Sequence, residues 1–294
     1  MSGFLCPLCG AKSYTKKGPY RSESVEFAGK TIVECNNCKL ISAYPLPSDE
    51  DLIRYYKSYW DRQKEGYSAT MPLFVAQAKS RYEFLKQYLK RSKQLRVLDV
   101  GAGFGLINNF LKKGLGSKLF RYDVTEVDSM AIEYLKDNIM PHEIYSDLKE
   151  CRDKYDLIIL SHIIEHFKDP LTFLTQQHGL IAQDGILFIE VPNQDYLHKK
   201  WHDPHLMFFS PATITQLAEK AGYKIIKIAS CGQLLEDLVK KKSGQAEITL
   251  LERIHRKLFR NKHNEHFYDA IRRIRTYGPD RAWIRMVARL KENV

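Results

Sequence analysis

The sequence predicts an α/β protein built on a doubly wound, mostly parallel sheet, with a small N-terminal zinc ribbon and a helical C-terminal extension. Three observations carry this expectation. From residue 95 onward, short apolar runs alternate with runs of helical period; such alternation gives a parallel sheet covered on both faces. Two Cys-x-x-Cys pairs stand near the N-terminus. After residue 232 the chain turns basic, with apolar residues spaced along one helical face. The expected division is a ribbon at 1–45, a connector and helical cap at 46–91, a ligand-binding domain at 92–232 and a basic extension at 233–294.

Bulk properties set outer bounds. The chain has 294 residues and a formal net charge of +11. That charge favours an acidic partner such as a phosphorylated metabolite, nucleic acid or an anionic surface, without choosing among them. No run approaches 18 consecutive apolar residues, so no membrane span is expected. The start, "MSGFLCPLCG", has no basic region followed by an apolar run and does not read as a secretory signal. A cytoplasmic location follows, and there cysteines serve more often as thiolate ligands than as disulfides.

Cys6, Cys9, Cys35 and Cys38 form the two pairs, with 25 residues between them. Tetrahedral zinc takes four thiolates from two such tight turns. Within the spacer, "SVEFAGKTIVEC" reads as a strand, a turn at Ala28-Gly29 and a second strand. Pro45 and Pro47 then interrupt regular structure, and Ser48 caps a helix with Asp51 three residues on. Residues 72–91 read as an amphipathic helix with Phe74, Ala78, Arg81, Leu85 and Leu89 on one side.

"LRVLDVGAGFG" is a buried strand entering a glycine loop, and "INNFLKKG" is the helix after it. "KLFRYDVTEV" is a second strand, followed by a helix capped at Asp128 or Ser129. "HEIYSD", "YDLIIL" and "DGILFIEVP" are further strands; "SPATITQLAEKAGY" is a helix capped near Ser210, and "KIIKIAS" is a strand. In the tail, "ITLLERIHRKLF" and "RAWIRMVARL" read as helices. The tail holds 15 Lys/Arg and 8 Asp/Glu, a net of +7. Its helices offer apolar faces for packing on the main domain or on a second copy of the chain.

Two motifs carry chemistry. "SHIIEH" holds His162-x-x-Glu165-His166, the spacing of the inverted zinc proteases. His162 directly follows the apolar run "LIIL", which places it at a strand end rather than in a helix, and the protease reading fails there. The glycine loop is Asp99-Val-Gly101-Ala102-Gly103-Phe-Gly105. A dinucleotide fingerprint would need a third glycine at Leu106. The acid at Asp99 suits a cationic ligand better than a pyrophosphate.

The D-x-G-x-G-x-G loop resembles motif I of the class I S-adenosylmethionine (SAM)-dependent methyltransferases, whose sheet is Rossmann-like. "SHIIEHFKDP" and the "WHDPHLMFFSP" segment resemble later parts of the same family. "CNNCKLISAYPLPSDEDLIRYYKSYW" is similar to a ribbon-plus-connector in a bacterial subgroup acting on nucleotide-linked sugars, glycans or secondary metabolites. The resemblance implies SAM contacts from Asp99, Gly101, Ala102, Gly103, Ser161 and His162. It implies a ribose contact from Glu126, with Asp123 as the alternative, and an adenine contact near Asp147. The implied activity is methyl transfer, as an O-methyltransferase, to a sugar, glycan or other small molecule. RNA stands second as acceptor, because one rRNA guanine family also joins a zinc ribbon to this domain. A hydroxyl acceptor needs a proton acceptor close to it. His166, His202 and His205 are the candidates, with His205 first and His166 second.

Overall fold

The computed structural model describes residues 3–57, 67–89, 94–243 and 273–291. Seven strands form the main sheet, in the order β10-β11-β8-β7-β4-β5-β6. They are β4 (Leu95–Val100), β5 (Leu119–Thr125), β6 (Ile144–Tyr145), β7 (Tyr155–Ser161), β8 (Ile181–Pro192), β10 (Tyr223–Leu234) and β11 (Arg281–Leu290). β4 pairs in parallel with β5 and β7, β7 with β8, and β5 with β6. β11 runs antiparallel to both β8 and β10. The central strands are largely apolar because helices cover both faces; Val97, Leu98, Leu157, Ile158 and Phe188 are wholly buried.

The helices follow from local chemistry. α1 (Asp49–Lys57) begins at a capping box, in which Ser48 Oγ accepts from Asp51 N at 3.0 Å and Asp51 Oδ2 accepts from Ser48 N at 3.2 Å. α2 (Tyr67–Leu85) and α3 (Ile107–Leu115) follow. Asp128 caps α4 (Ser129–Tyr134), accepting from Ala131 N at 2.8 Å. α5 (Pro170–Gln176), α6 (Pro211–Lys220) and α7 (Leu235–Lys242) complete the set, with Ser210 capping α6.

Two expectations are corrected. Residues 281–290 are strand β11 of the main sheet, not a helix of the extension, so the sheet reaches beyond the 92–232 segment. The segment is buried on both faces and shows no alternation. Its Ala, Arg, Met and Leu residues carry good helix propensity, but pairing with two strands overrides it. The first ribbon strand is β1 (Tyr14–Pro19), upstream of the expected position. Val25–Phe27 instead form a single 3₁₀ turn that buries Phe27. The expected helix at "ITLLERIHRKLF" lies outside the described residues.

The ribbon is joined to the main body. β2 (Thr31–Cys35) pairs with β1 and with β3 (Ile41–Tyr44), and β3 pairs with β9 (Met207–Phe208), which precedes α6. Tyr20 donates to the His205 carbonyl at 2.9 Å, and Arg21 N donates to His202 Nδ1 at 2.9 Å. Among the described residues no helix is long and apolar enough to cross a membrane.

Candidate active site

A cavity of about 1100 Å³ opens at the carboxyl ends of β4, β5 and β7, where parallel sheets place their ligands. One wall is the glycine loop after β4. Gly101 has φ +62°, and a Cβ there would sit 2.4 Å from Ile163 Cδ1. Gly103 has φ +53°, but a Cβ there would meet no atom within 4 Å, so the space beside it is open. The loop is fastened to the end of β5. Gly101 N donates to Thr125 Oγ1 at 3.0 Å, and Gly103 N donates to Glu126 Oε2 at 2.7 Å.

Glu126 is 8% exposed and borders the cavity. Its Oε1 also accepts from Val127 N at 2.8 Å and Asp128 N at 3.0 Å. Three backbone donors therefore hold the carboxylate in one orientation. Asp123 is engaged elsewhere: Arg121 Nε donates to its Oδ2 at 2.6 Å and Tyr155 OH at 2.8 Å. Asp99 is buried and accepts from Tyr122 OH at 2.7 Å. Burial pushes its carboxyl up to about 6, against the opposing effect of Tyr122. Asp147 borders the cavity with Oδ1 accepting from Lys149 N at 2.8 Å. Ser161 Oγ, at the end of β7, is buried with no hydrogen-bond partner among the described residues.

Next to Ser161, His162 has φ +55° and donates from Nε2 to Glu190 Oε1 at 3.0 Å. Glu190 is buried and gathers three partners. Arg81 Nε donates to it at 2.7 Å and Arg285 Nε at 2.5 Å. Burial alone would raise the Glu190 carboxyl, but Arg81 and Arg285 hold it well below the usual range. Burial lowers His162, yet the carboxylates of Glu165 and Glu190 outweigh it and leave the imidazole raised. Arg285 Nη1 further donates to Ser80 Oγ at 2.8 Å and Tyr277 OH at 2.9 Å. The network locks β7, β8, β11 and α2 together at the mouth of the cavity.

The 3₁₀ turn Ile164–His166 follows His162 along the cavity. His166 borders the cavity; Glu165 and His205 lie behind it. Glu165 Oε1 is 3.5 Å from His162 Nδ1, and 4.0 Å from both His166 Nε2 and His205 Nε2. His162 and His166 thus do not form the paired grip of a zinc protease. Burial pushes His166 down to about 4, so its imidazole is neutral near pH 7. His202 is buried between Arg21 and the ribbon, and burial likewise lowers it to about 4.

The N-terminal cysteines form a separate site. Cys6 Sγ and Cys38 Sγ are 3.5 Å apart, as are Cys9 Sγ and Cys35 Sγ, and all four sulfurs lie within 4.8 Å of one another. A tetrahedral zinc with Zn–S bonds of about 2.3 Å separates its sulfurs by roughly 3.8 Å, so the donor set fits that ion. The separation is far too long for a disulfide bond.

The sequence profile of a methyltransferase-domain family matches residues 67–228. The chain belongs to that family. The ubiquinone biosynthesis O-methyltransferase of Coxiella burnetii is 25% identical to this methyltransferase over 173 residues, covering 50% of this chain and 71% of the relative. The enzyme of the same name from Dinoroseobacter shibae is 26% identical over 157 residues, covering 44% and 60%. Among solved structures, the 1,6-didemethyltoxoflavin-N1-methyltransferase of Burkholderia thailandensis, bound to 1,6-didemethyltoxoflavin and S-adenosylhomocysteine, superposes with a TM-score of 0.54. Its identity is 14%, with 94% of this chain and 100% of that one covered. A SAM-dependent methyltransferase from Clostridium acetobutylicum gives 0.51 at 8% identity, covering 79% and 99%. The fold is that of the class I enzymes, and the protein is a SAM-dependent methyltransferase.

The cleft of this methyltransferase gathers Asp99, Gly101, Ala102, Gly103, Glu126, Asp147, Ser161, His162 and His166 around one cavity, while His205 stands one layer back. Sequence reasoning passed over Arg81, Glu190 and Arg285. Glu190 carries a signal in hindsight: it is a carboxylate ending an otherwise apolar strand, where a charge needs partners. Arg285 carried none while its segment was read as a helix.

Proposed function

We propose that this methyltransferase acts on a hydroxyl of a small acceptor: a sugar, a glycan or another metabolite. Bound SAM supplies a methyl carbon activated by its sulfonium. The chain's own residues then have to bind, orient and exclude water. The open space at Gly103 and the orphaned Ser161 Oγ fit the amino-acid part of SAM, and Arg81 at the cavity edge offers a cation for its carboxylate. Glu126 faces the ribose hydroxyls, its orientation fixed by three backbone N–H groups. Asp99 adds negative charge beneath the cationic ligand. Phe167 and Phe173, stacked at 3.8 Å, wall the cavity. Methyl displacement needs the acceptor oxygen held about 3–3.5 Å from the methyl carbon.

One observation carries the acceptor class. His166 stands on the cavity wall with Glu165 and His205 packed behind it, a compact polar cluster against which an acceptor hydroxyl can be set. The enzymes named as O-methyltransferases that this chain resembles support the same reading. The four-thiolate site is read as one structural zinc that holds the ribbon against β9. The test is transfer of labelled methyl from SAM into a fractionated extract of the native cell. Label should enter low-molecular-weight or saccharide fractions and be released by ether cleavage as a one-carbon product. Label confined to RNA would overturn the acceptor assignment.

A further inference from the structure

We propose that Glu165, His166 and His205 form a second metal site, holding one divalent ion of the zinc class with a coordination position open toward the cavity for an acceptor oxygen. The metal site stands by itself; only the identity of its oxygen ligand rests on the proposed acceptor class.

Two imidazoles and a carboxylate are the donor set of a catalytic zinc site, which keeps a fourth position open. The three donor atoms lie within 4.8 Å of one another, and both Nε2 atoms are 4.0 Å from Glu165 Oε1. A tetrahedral ion with bonds of about 2.0–2.1 Å would draw them to roughly 3.3–3.4 Å, a contraction of about 0.6 Å for each carboxylate–imidazole pair that side-chain rotation supplies. The two segments are already fastened together, because Leu206 N donates to the Glu165 carbonyl at 2.9 Å.

A second observation points to a missing cation. Glu165 is 1% exposed, and among the described residues neither carboxylate oxygen has a hydrogen-bond partner. A buried carboxylate without a partner costs several kcal/mol. Oxygen Oε1 is surrounded at 3.5–4.0 Å by imidazole nitrogens from three histidines. An ion bound to His166 and His205 would satisfy this carboxylate directly.

The outer partners agree. Metal-binding imidazoles usually give their other N–H to a carboxylate or similar group. His205 Nδ1 donates to Asp195 Oδ2 at 2.7 Å, which leaves the lone pair on Nε2, the atom that faces Glu165. His166 Nδ1 lies 3.1 Å from Tyr56 OH, so its Nε2 also turns toward Glu165. Magnesium and calcium prefer all-oxygen sites, whereas imidazole selects zinc and its neighbours. His166 borders the cavity, so the remaining position opens there. A hydroxyl bound to such an ion loses its proton to solvent more readily than a free one.

The test uses the full chain. Elemental analysis should find about two zinc ions per chain, one for each donor set. Glu165→Gln and His205→Asn should each lower this to about one, and Cys9→Ser should leave the histidine-bound ion in place. Cobalt(II) titrated into chelator-treated protein should give two spectra: a thiolate charge-transfer band from the cysteine site, and ligand-field bands without thiolate character. Acetohydroxamate, a two-oxygen probe, should shift the second spectrum in the wild type and not in His205→Asn. A cooperative melting transition of Glu165→Gln confirms the fold. If that variant does not fold, His166→Gln reads the same loss from the cavity wall. A single equivalent that disappears with Cys9→Ser, or a second equivalent that survives both Glu165→Gln and His205→Asn, would overturn the site. Failure to methylate any hydroxyl acceptor, with two equivalents still bound, would overturn the acceptor class alone.

Discussion

Replacing Glu126 by glutamine tests the cofactor assignment at one atom. The carboxylate accepts from three backbone N–H groups, at 2.7, 2.8 and 3.0 Å, and borders the cavity. Its remaining acceptor capacity is what the ribose hydroxyls would use. Glutamine keeps the volume and one carbonyl oxygen. Its NH₂ must then face either the Gly103 donor or the Val127 and Asp128 donors, and either choice sets a donor against a donor and removes an acceptor. A hydrogen bond to a charged group contributes about 1.5–3 kcal/mol. Losing one should weaken SAM and S-adenosylhomocysteine by roughly tenfold to 150-fold. Calorimetric titration measures this, with the melting curve of the ligand-free variant as the control for folding. Asp123 cannot substitute, because it is tied to Arg121 and Tyr155. A folded Glu126→Gln protein that binds SAM within twofold of wild type would refute the ribose assignment.

Three further outcomes are expected. Asp99, raised from 3.8 to about 6 by burial, favours the folded state fully below pH 3.8 and loses that contribution as pH rises through 6. The loss is about 3 kcal/mol at neutral pH, so Asp99→Asn should raise the ligand-free melting temperature by several degrees at pH 7 while weakening SAM at least tenfold; a lower melting temperature would contradict the burial argument. Arg285→Met should cost about 3–5 kcal/mol in denaturant unfolding, because it removes one partner of a buried ion pair; a loss under 1 kcal/mol would show that Arg81 and His162 suffice for Glu190. Cys9→Ser with Cys35→Ser should remove about one zinc per chain and make the ribbon sensitive to protease; unchanged metal content would refute the four-thiolate site.

The gathering of Asp99, the glycines and Glu126 around one cavity was legible because its signals are local. Asp99, the glycines and Glu126 act through backbone turns whose requirements are written within a few residues: a positive φ at Gly101, a carboxylate just past a strand end. The four cysteines were legible because metal spacing is a short-range geometric rule. The strand β11 was not, since a segment buried on both faces carries no period that separates strand from helix. Its partners, β8 and β10, lie about 50 to 100 residues away in the chain. Arg285 was therefore invisible as the partner of Glu190, although each residue alone was in plain view. His202 illustrates a contact that no local signal carried. A histidine in an aromatic loop resembled a proton acceptor, but it holds the ribbon through Arg21.

The same contrast separates the two sides of the active site physically. The cofactor side is built from strand ends of one sheet and needs nothing from residues 1–45. The acceptor side depends on the ribbon. β3 pairs with β9, Ala43 N donates to the Leu206 carbonyl at 2.8 Å, and Tyr20 OH donates to the His205 carbonyl at 2.9 Å. His205 is thus held from one side by the ribbon and from the other by Asp195. A catalytic domain can bind SAM by its glycine loop whatever it methylates. What distinguishes one acceptor from another must come from segments outside that loop. In this chain those segments are the ribbon, α1 with Tyr56, and the 202–208 stretch that the ribbon clamps. We propose that the thiolate site thereby acts on specificity at a distance, by fixing the backbone on which His205 is mounted.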